Sequence, residues 1–230
     1  MIYEIAGLKV RMCPEYGLLL GQSEPYRASG DPVLDIKPNP WDEARVRMEM
    51  TSEEKREYIC CSAAFCREIL SFGRLFLHAS AVVQEGEAYL FAGPSGTGKS
   101  THTALWRQLF PQSFILNDDK PVIWPREDGI MVYGTPFAGK TSLQVNRAAP
   151  LKGICFLKQG SKNRIRQAAE EEAIAFLLNN TFRPKDNHRM NLLFDLIEQI
   201  VTQINIYEMT CTREPEAAQL AYQVMKGKKL

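Results

Sequence analysis

Gly93-Pro94-Ser95-Gly96-Thr97-Gly98-Lys99-Ser100-Thr101 is the stretch from which the rest of the chain is read. It satisfies G-x-x-x-x-G-K-[ST], the Walker A pattern. In that pattern backbone N–H groups wrap the phosphates of a nucleotide, the lysine reaches the terminal phosphates and the next hydroxyl binds Mg²⁺. The glycines let the backbone bend tightly and approach an anion with no Cβ in the way. The flanks agree. Ala88 to Ala92 reads as a buried strand before the loop. Thr101 to Phe110 reads as a helix after it, whose N-terminus adds partial positive charge. The expected nucleotide contacts are Gly93, Ser95, Gly96, Thr97, Gly98, Lys99, Ser100 and Thr101, with ATP and Mg²⁺ as the expected cofactors.

On the N-terminal side, Arg74 to Val83 reads as a strand, and Glu85-Gly86 turns it back into the strand that feeds the loop. His78 lies in that first strand, so the hairpin brings it toward the nucleotide's end; a buried core histidine is the competing reading. On the C-terminal side, Ser113 to Lys120 is a short apolar strand ending in Asp118-Asp119. Such folds place there the carboxylate that holds Mg²⁺. Mg²⁺ takes few carboxylates, so the second aspartate is free to accept a proton from an attacking hydroxyl. Gly134 to Thr141 reads as a mobile loop over the site, with Lys140 a substrate or γ-phosphate contact.

The remainder reads as scaffold. Residues 1–50 form a β-rich N-terminal subdomain, with strands expected at Tyr3 to Val10, Gly17 to Leu20 and Val33 to Ile36. Arg27 and Trp41 are expected to be structural. Residues 51–230 form the core with C-terminal helices. Thr51-Ser52-Glu53-Glu54 is a capping box, opening a helix that carries Tyr58, Cys61, Phe65 and Ile69 on one stripe and stops at Gly73. Val122 to Trp124 and Ile130 to Tyr133 make a hairpin, and Ile154 to Leu157, Arg164 to Arg166 and Ile206 to Met209 are strands. Helices are expected at Ala168 to Leu178, through Met190 to Ile204, and from Pro215.

The 230 residues are 45 % hydrophobic and 24 % charged, enough to bury a core. A net charge of +1 gives no basic footprint for nucleic acid. The six cysteines lack a C-x-x-C pair and sit mostly in apolar runs, as reduced core thiols do. No signal pattern opens the chain and no apolar run reaches a membrane span, so a cytoplasmic location and no membrane partner are expected.

Leu77-His78-Ala79-Ser80-Ala81, the glycine loop and Asn117-Asp118-Asp119 together resemble the HPr kinase/phosphorylase family and, more distantly, ATP-dependent phosphoenolpyruvate carboxykinase. The resemblance is specific over roughly residues 74–124. It implies an α/β fold, a P-loop carboxykinase-like core with a mixed β-sheet flanked by helices. It also implies Asp118 as catalytic acid/base, Asp119 as metal-side carboxylate and His78 as the histidine of the reacting region. The kinase/phosphorylase's glycine- and arginine-rich region near the C-terminus has no clear counterpart; Arg183, in Phe182-Arg183-Pro184-Lys185, is the nearest candidate for its arginine and for a substrate contact. A compact serine-kinase relative is therefore expected, of the kind known from peptide-modification clusters. Its acceptor would be a peptide or protein serine, or a small hydroxyl compound, rather than HPr. Assembly into a homo-oligomer stays open.

The expected mechanism is ATP-dependent phosphorylation of a hydroxyl. Lys99 and the loop amides hold the phosphates, Ser100 and Asp119 share Mg²⁺, Asp118 takes the proton, and His78 orients Asp118 or steadies the growing charge. Three other readings remain: a small-molecule kinase, an NTPase switch that hydrolyses ATP with no acceptor, and a module that only binds ATP. The chain has no N-K-x-D and no L-S-G-G-Q.

Overall fold

Ala6 and Gly7, both at positive φ (51° and 73°), turn the expected strand from Tyr3 to Val10 into a hairpin of β1 (Ile2–Ile5) and β2 (Leu8–Arg11). Gly17 to Leu20 is not a strand. It starts helix α1 (Gly17–Ser23), which a 3₁₀ turn at Glu24–Tyr26 continues. Leucine favours helix, and the helix buries Leu19 and Gln22 against distant residues, a pairing no short apolar run reveals. The two-residue β3 (Leu34–Asp35) joins β2 in parallel.

The computed structural model describes residues 1–38 and 52–227, so Trp41 and the expected cap Thr51 lie outside the described residues. Ser52 is the N-cap of α2 (Glu53–Glu68), its hydroxyl accepting the Lys55 N–H at 3.4 Å. A 3₁₀ turn (Ile69–Phe72) follows, and Gly73 at φ 69° ends it in the left-handed region. The stripe of Tyr58, Cys61, Phe65 and Ile69 packs on the three-stranded sheet, in one apolar cluster with Val122, Phe137 and Phe182.

The expected strand from Arg74 to Val83 is two strands. β4 (Leu75–Phe76) pairs with β8 (Val122–Arg126), whereas β5 (Ala79–Gln84) pairs with β6 (Glu87–Ala92) and β7 (Phe114–Asp119). Between them the Leu77 N–H donates to the Pro121 carbonyl and the His78 N–H to that of Asn180, so the backbone leaves one pairing before it begins the next. β9 (Gly129–Tyr133) forms the expected hairpin with β8.

The sheet curls around β10 (Ala148–Gln159). Its start runs antiparallel to β9, its middle parallel to β6 and its end parallel to β12 (Ile206–Cys211), which also takes β11 (Arg164–Gln167). Helices α3 (Lys99–Leu109) and α6 (Pro215–Met225) cover one face, where Tyr89, Phe91, Trp106 and Met209 are buried. Helices α4 (Glu170–Asn179) and α5 (Asn187–Gln203) cover the other over Leu77, Leu90, Leu116 and Ile154. Each such fully buried side chain contributes about 1.5–3 kcal/mol. The fold is mixed α/β, a curled mixed sheet flanked by helices. Cys13 is exposed and the other five cysteines are buried. Among the described residues no helix is long and apolar enough to cross a membrane.

Candidate functional site

Register brings the motif residues together. Glu85 and Gly86 adopt positive φ (53° and 82°), as a two-residue hairpin turn requires, and lock β5 to β6. Ala79 then lies opposite both Ala92, the last residue before the glycine loop, and Asp119 on β7. His78, Gly93 to Thr101 and the aspartate pair therefore share one end of the sheet.

The loop conforms to its motif. Gly93 (φ 140°) and Gly98 (φ 98°) hold conformations that side chains resist, and a Cβ on Gly93 would press on the Leu157 carbonyl oxygen at 3.1 Å. Gly98 is the N-cap of α3, and neither a capping side chain nor an acidic residue in the first turn neutralises that helix end. Lys99 Nζ donates to the Gly93 and Pro94 carbonyls at 2.8 and 3.2 Å. Burial draws its ammonium below the ordinary lysine value, against the opposing pull of the Asp119 and Asp118 carboxylates. Thr97 donates to the Pro94 carbonyl, and Gln159 closes on the Gly96 carbonyl at 2.8 Å. Ser95, Gly96, Ser100 and Thr101 are exposed.

The two aspartates face different partners, and the pairing corrects the expected one. Ser100 Oγ donates to Asp118 Oδ1 at 3.0 Å, and Asp118 Oδ2 is buried with no hydrogen-bond partner. His78 Nδ1 lies 3.0 Å from Asp119 Oδ1, whereas Asp119 Oδ2 takes the Tyr58 hydroxyl at 3.0 Å and Lys120 Nζ at 2.5 Å. Thus His78 belongs with Asp119, not Asp118, and Ser100 belongs with Asp118, not Asp119. A β-bulge is the reason. Asn117 pairs with Ala81 and Ile115 with Val82, so Leu116 is the extra residue and the alternation of β7 slips by one. Asp118 then sits opposite Ser80, whose hydroxyl reaches Thr103 of α3 at 2.8 Å, and so faces the helix that carries Ser100.

Burial by itself would raise the Asp119 carboxyl, but the His78 imidazole and the Lys120 ammonium outweigh it and hold the group well below the usual carboxylate range. Burial, with the Asp119 carboxylate adding to it, pushes the Tyr58 hydroxyl far above its ordinary value, so it stays a donor. His78 Nε2 makes no hydrogen bond to a described residue, and the ring is partly exposed.

The loop from Gly134 to Thr141, expected to be mobile, is fastened. Gln22 of α1 accepts the Ala138 N–H at 3.3 Å and donates to the Gly139 carbonyl and to Ser142 at 3.0 and 2.9 Å. The Gly139 N–H donates to the Tyr58 hydroxyl at 2.8 Å. Lys140 follows this anchor and is exposed, as is Arg183; neither makes a hydrogen bond or ion pair with a described residue. Sequence reasoning missed Tyr58 and Gln22. Tyr58 reads there as one more apolar stripe residue, and its hydroxyl was the available signal.

Among the described residues no group of three His, Cys, Asp or Glu side chains is placed to hold a metal. Ser100 and Asp118, with one carboxylate oxygen unpartnered, fit an ion that draws its other ligands from phosphate and water.

Fold and site define a mixed α/β protein in which a glycine-rich motif loop, two aspartates and a histidine meet at one sheet end. The chain belongs to the family described as SynChlorMet cassette protein ScmC, which matches residues 51–212 and so takes in every one of these site residues. No match is found among the curated proteins.

Proposed function

We propose that this chain is an ATP- and Mg²⁺-dependent kinase that transfers the γ-phosphate to a hydroxyl, with a P-loop carboxykinase-like core related to that of the HPr kinase/phosphorylases. The observation that carries the reading is the register of β5, β6 and β7, which sets a partnered His78 and both aspartates beside the loop.

In this reading Lys99 exchanges its loop carbonyls for the terminal phosphates, and the free N–H groups at the start of α3 take phosphate oxygens. Ser100 and Asp118 hold Mg²⁺, which supplies positive charge against the phosphates when bound. Both oxygens of Asp119 are already occupied, and its carboxyl is strongly acidic. It therefore orients His78 through Nδ1–H and leaves the open Nε2 as proton acceptor. The acceptor hydroxyl oxygen bonds to the γ-phosphorus as the bond to the β–γ bridging oxygen breaks. That electron pair leaves with ADP, and the hydroxyl proton goes to His78 Nε2. Most of the acceleration comes from positioning and charge neutralisation, since the transition state is loose.

The test is incubation with γ-labelled ATP, Mg²⁺ and three acceptors (a serine peptide, HPr and free serine), followed by mass spectrometry. Label on an acceptor is expected. Phosphate release with no labelled product would overturn the kinase in favour of a hydrolytic switch.

A further inference from the structure

A cavity of about 610 Å³ opens beside the leading edge of the glycine loop, from Gly93 to Thr97. Its far wall is apolar: Phe156 of β10 and Phe176 of α4, with ring centroids 4.9 Å apart. Asn179 and Asn180, at the end of α4, complete it. The Asn180 carbonyl accepts the His78 N–H at 2.7 Å, so one wall of the cavity is bonded to the backbone of the histidine. Asn179 is exposed, and its amide bonds to no described residue. The charged lining residue is Lys158, whose ammonium is taken by Glu208.

We propose that this cavity binds the phosphate acceptor, and that the acceptor is a neutral, hydroxyl-bearing compound or peptide end with an aromatic or bulky apolar body. The inference rests on the kinase reading of the loop. Size fits a small ligand, since such pockets run from about 300 to 1,000 Å³. Two rings supply apolar area, an unpartnered amide supplies orientation, and Lys158, the charged residue of the lining, is already paired with Glu208. Position also fits. In loops of this kind the lysine and the Mg²⁺-binding hydroxyl mark the terminal phosphates, and here these are Lys99 and Ser100. The cavity runs along Gly93 to Thr97, where the Gly93 and Pro94 carbonyls hold Lys99, and its Asn180 wall is bonded to the His78 backbone.

The experiment uses the full chain with Mg²⁺ and a non-hydrolysable ATP analogue. It compares two probes, N-acetyl-serine benzylamide and N-acetyl-serine methylamide, by calorimetry. The benzylamide is expected to bind about tenfold more tightly or better, from burial of its ring. Phe176→Ala should erase the preference, and Asn179→Ala should weaken the benzylamide, both with affinity for the ATP analogue unchanged. Asn179 is exposed and unpartnered, so that variant keeps its fold. Equal binding of the two probes overturns the proposal. So does a loss of affinity for the ATP analogue in these variants with the probes unaffected, which would make the cavity a nucleobase site. Labelled ATP separates the two readings. Benzylamide bound in the cavity but never phosphorylated sinks the kinase and leaves the cavity; equal phosphorylation of both probes does the reverse.

Discussion

Tyr58 donates its hydroxyl to Asp119 Oδ2 at 3.0 Å across 61 positions of sequence, while the Tyr58 hydroxyl oxygen accepts the Gly139 N–H at 2.8 Å. One phenol on α2 thus fixes both a site carboxylate and the loop that covers it. Its ring packs on Phe137 with centroids 5.9 Å apart, which Tyr58→Phe preserves. The variant should lose about 1–2 kcal/mol of stability from two hydrogen bonds, one of them charge-assisted. It should also lower kcat about tenfold with the KM for ATP unchanged, as a positioning role requires. Steady-state kinetics and denaturant melts check this, and an unchanged kcat would reduce Tyr58 to scaffold.

His78 is held at Nδ1 by Asp119 and free at Nε2. If Nε2 receives the acceptor's proton, His78→Ala should slow the chemical step by about 10²–10⁴-fold while ATP still binds. Asp119→Asn keeps the shape and removes the charge, so a loss of similar size is expected from a misoriented imidazole. Single-turnover transfer of labelled phosphate reads both. A full-rate burst in His78→Ala would end the proton-acceptor role.

The sequence made the site's parts visible but not their partners. The turn at Glu85-Gly86 lies between two apolar runs, so the β5–β6 hairpin was legible, and with it the neighbourhood of His78 and Gly93. The bulge at Leu116 was not. A strict alternation along β7 would turn Ile115, Asn117 and Asp119 to one face, and only the extra residue gives Asp118 to Ser100. Gln22 and Tyr58 were also hidden, because their contacts to the loop at Gly139 span 117 and 81 positions of sequence and leave no local pattern. The division of residues 74–83 between β4 and β5 had the same cause. Each half is stabilised by a different distant strand, which a run of apolar residues does not announce.

Asp118 has one oxygen on Ser100 Oγ and one buried oxygen with no partner. Leaving a carboxylate oxygen so placed is unfavourable unless a cation or its water completes the shell. Asp118→Asn should therefore raise the Mg²⁺ concentration for half-maximal activity by about tenfold or more, equivalent to about 1.4 kcal/mol. Ser100→Ala should shift it in the same direction. In the absence of Mg²⁺ the Asn variant should be as stable as the parent or more so, since it removes a buried charge. Activity titrated with Mg²⁺, together with melts in chelator, decides the point; an unchanged Mg²⁺ requirement would exclude this carboxylate from the metal.

His102 lies one turn into α3, 2 % exposed, with both ring nitrogens unpartnered and its ring 4.4 Å from that of Phe91. Burial pushes its pKa down to about 4, so the folded chain keeps it neutral where an unfolded chain would protonate it. Between pH 6.5 and about 4 the unfolded state binds the extra proton. Stability is then complete above pH 6.5 and falls as the pH drops toward 4, by about 3 kcal/mol in all from this one group. Asp119 adds a separate loss below the ordinary carboxylate range, because its folded carboxyl is the more acidic. His102→Leu keeps an apolar side chain of similar bulk against Phe91 and removes the titration. Its unfolding free energy should be nearly flat from pH 6.5 to 4.5, where the parent's slopes. Denaturant midpoints across that range test it, and parallel slopes in the two proteins would mean that another group carries the acid sensitivity.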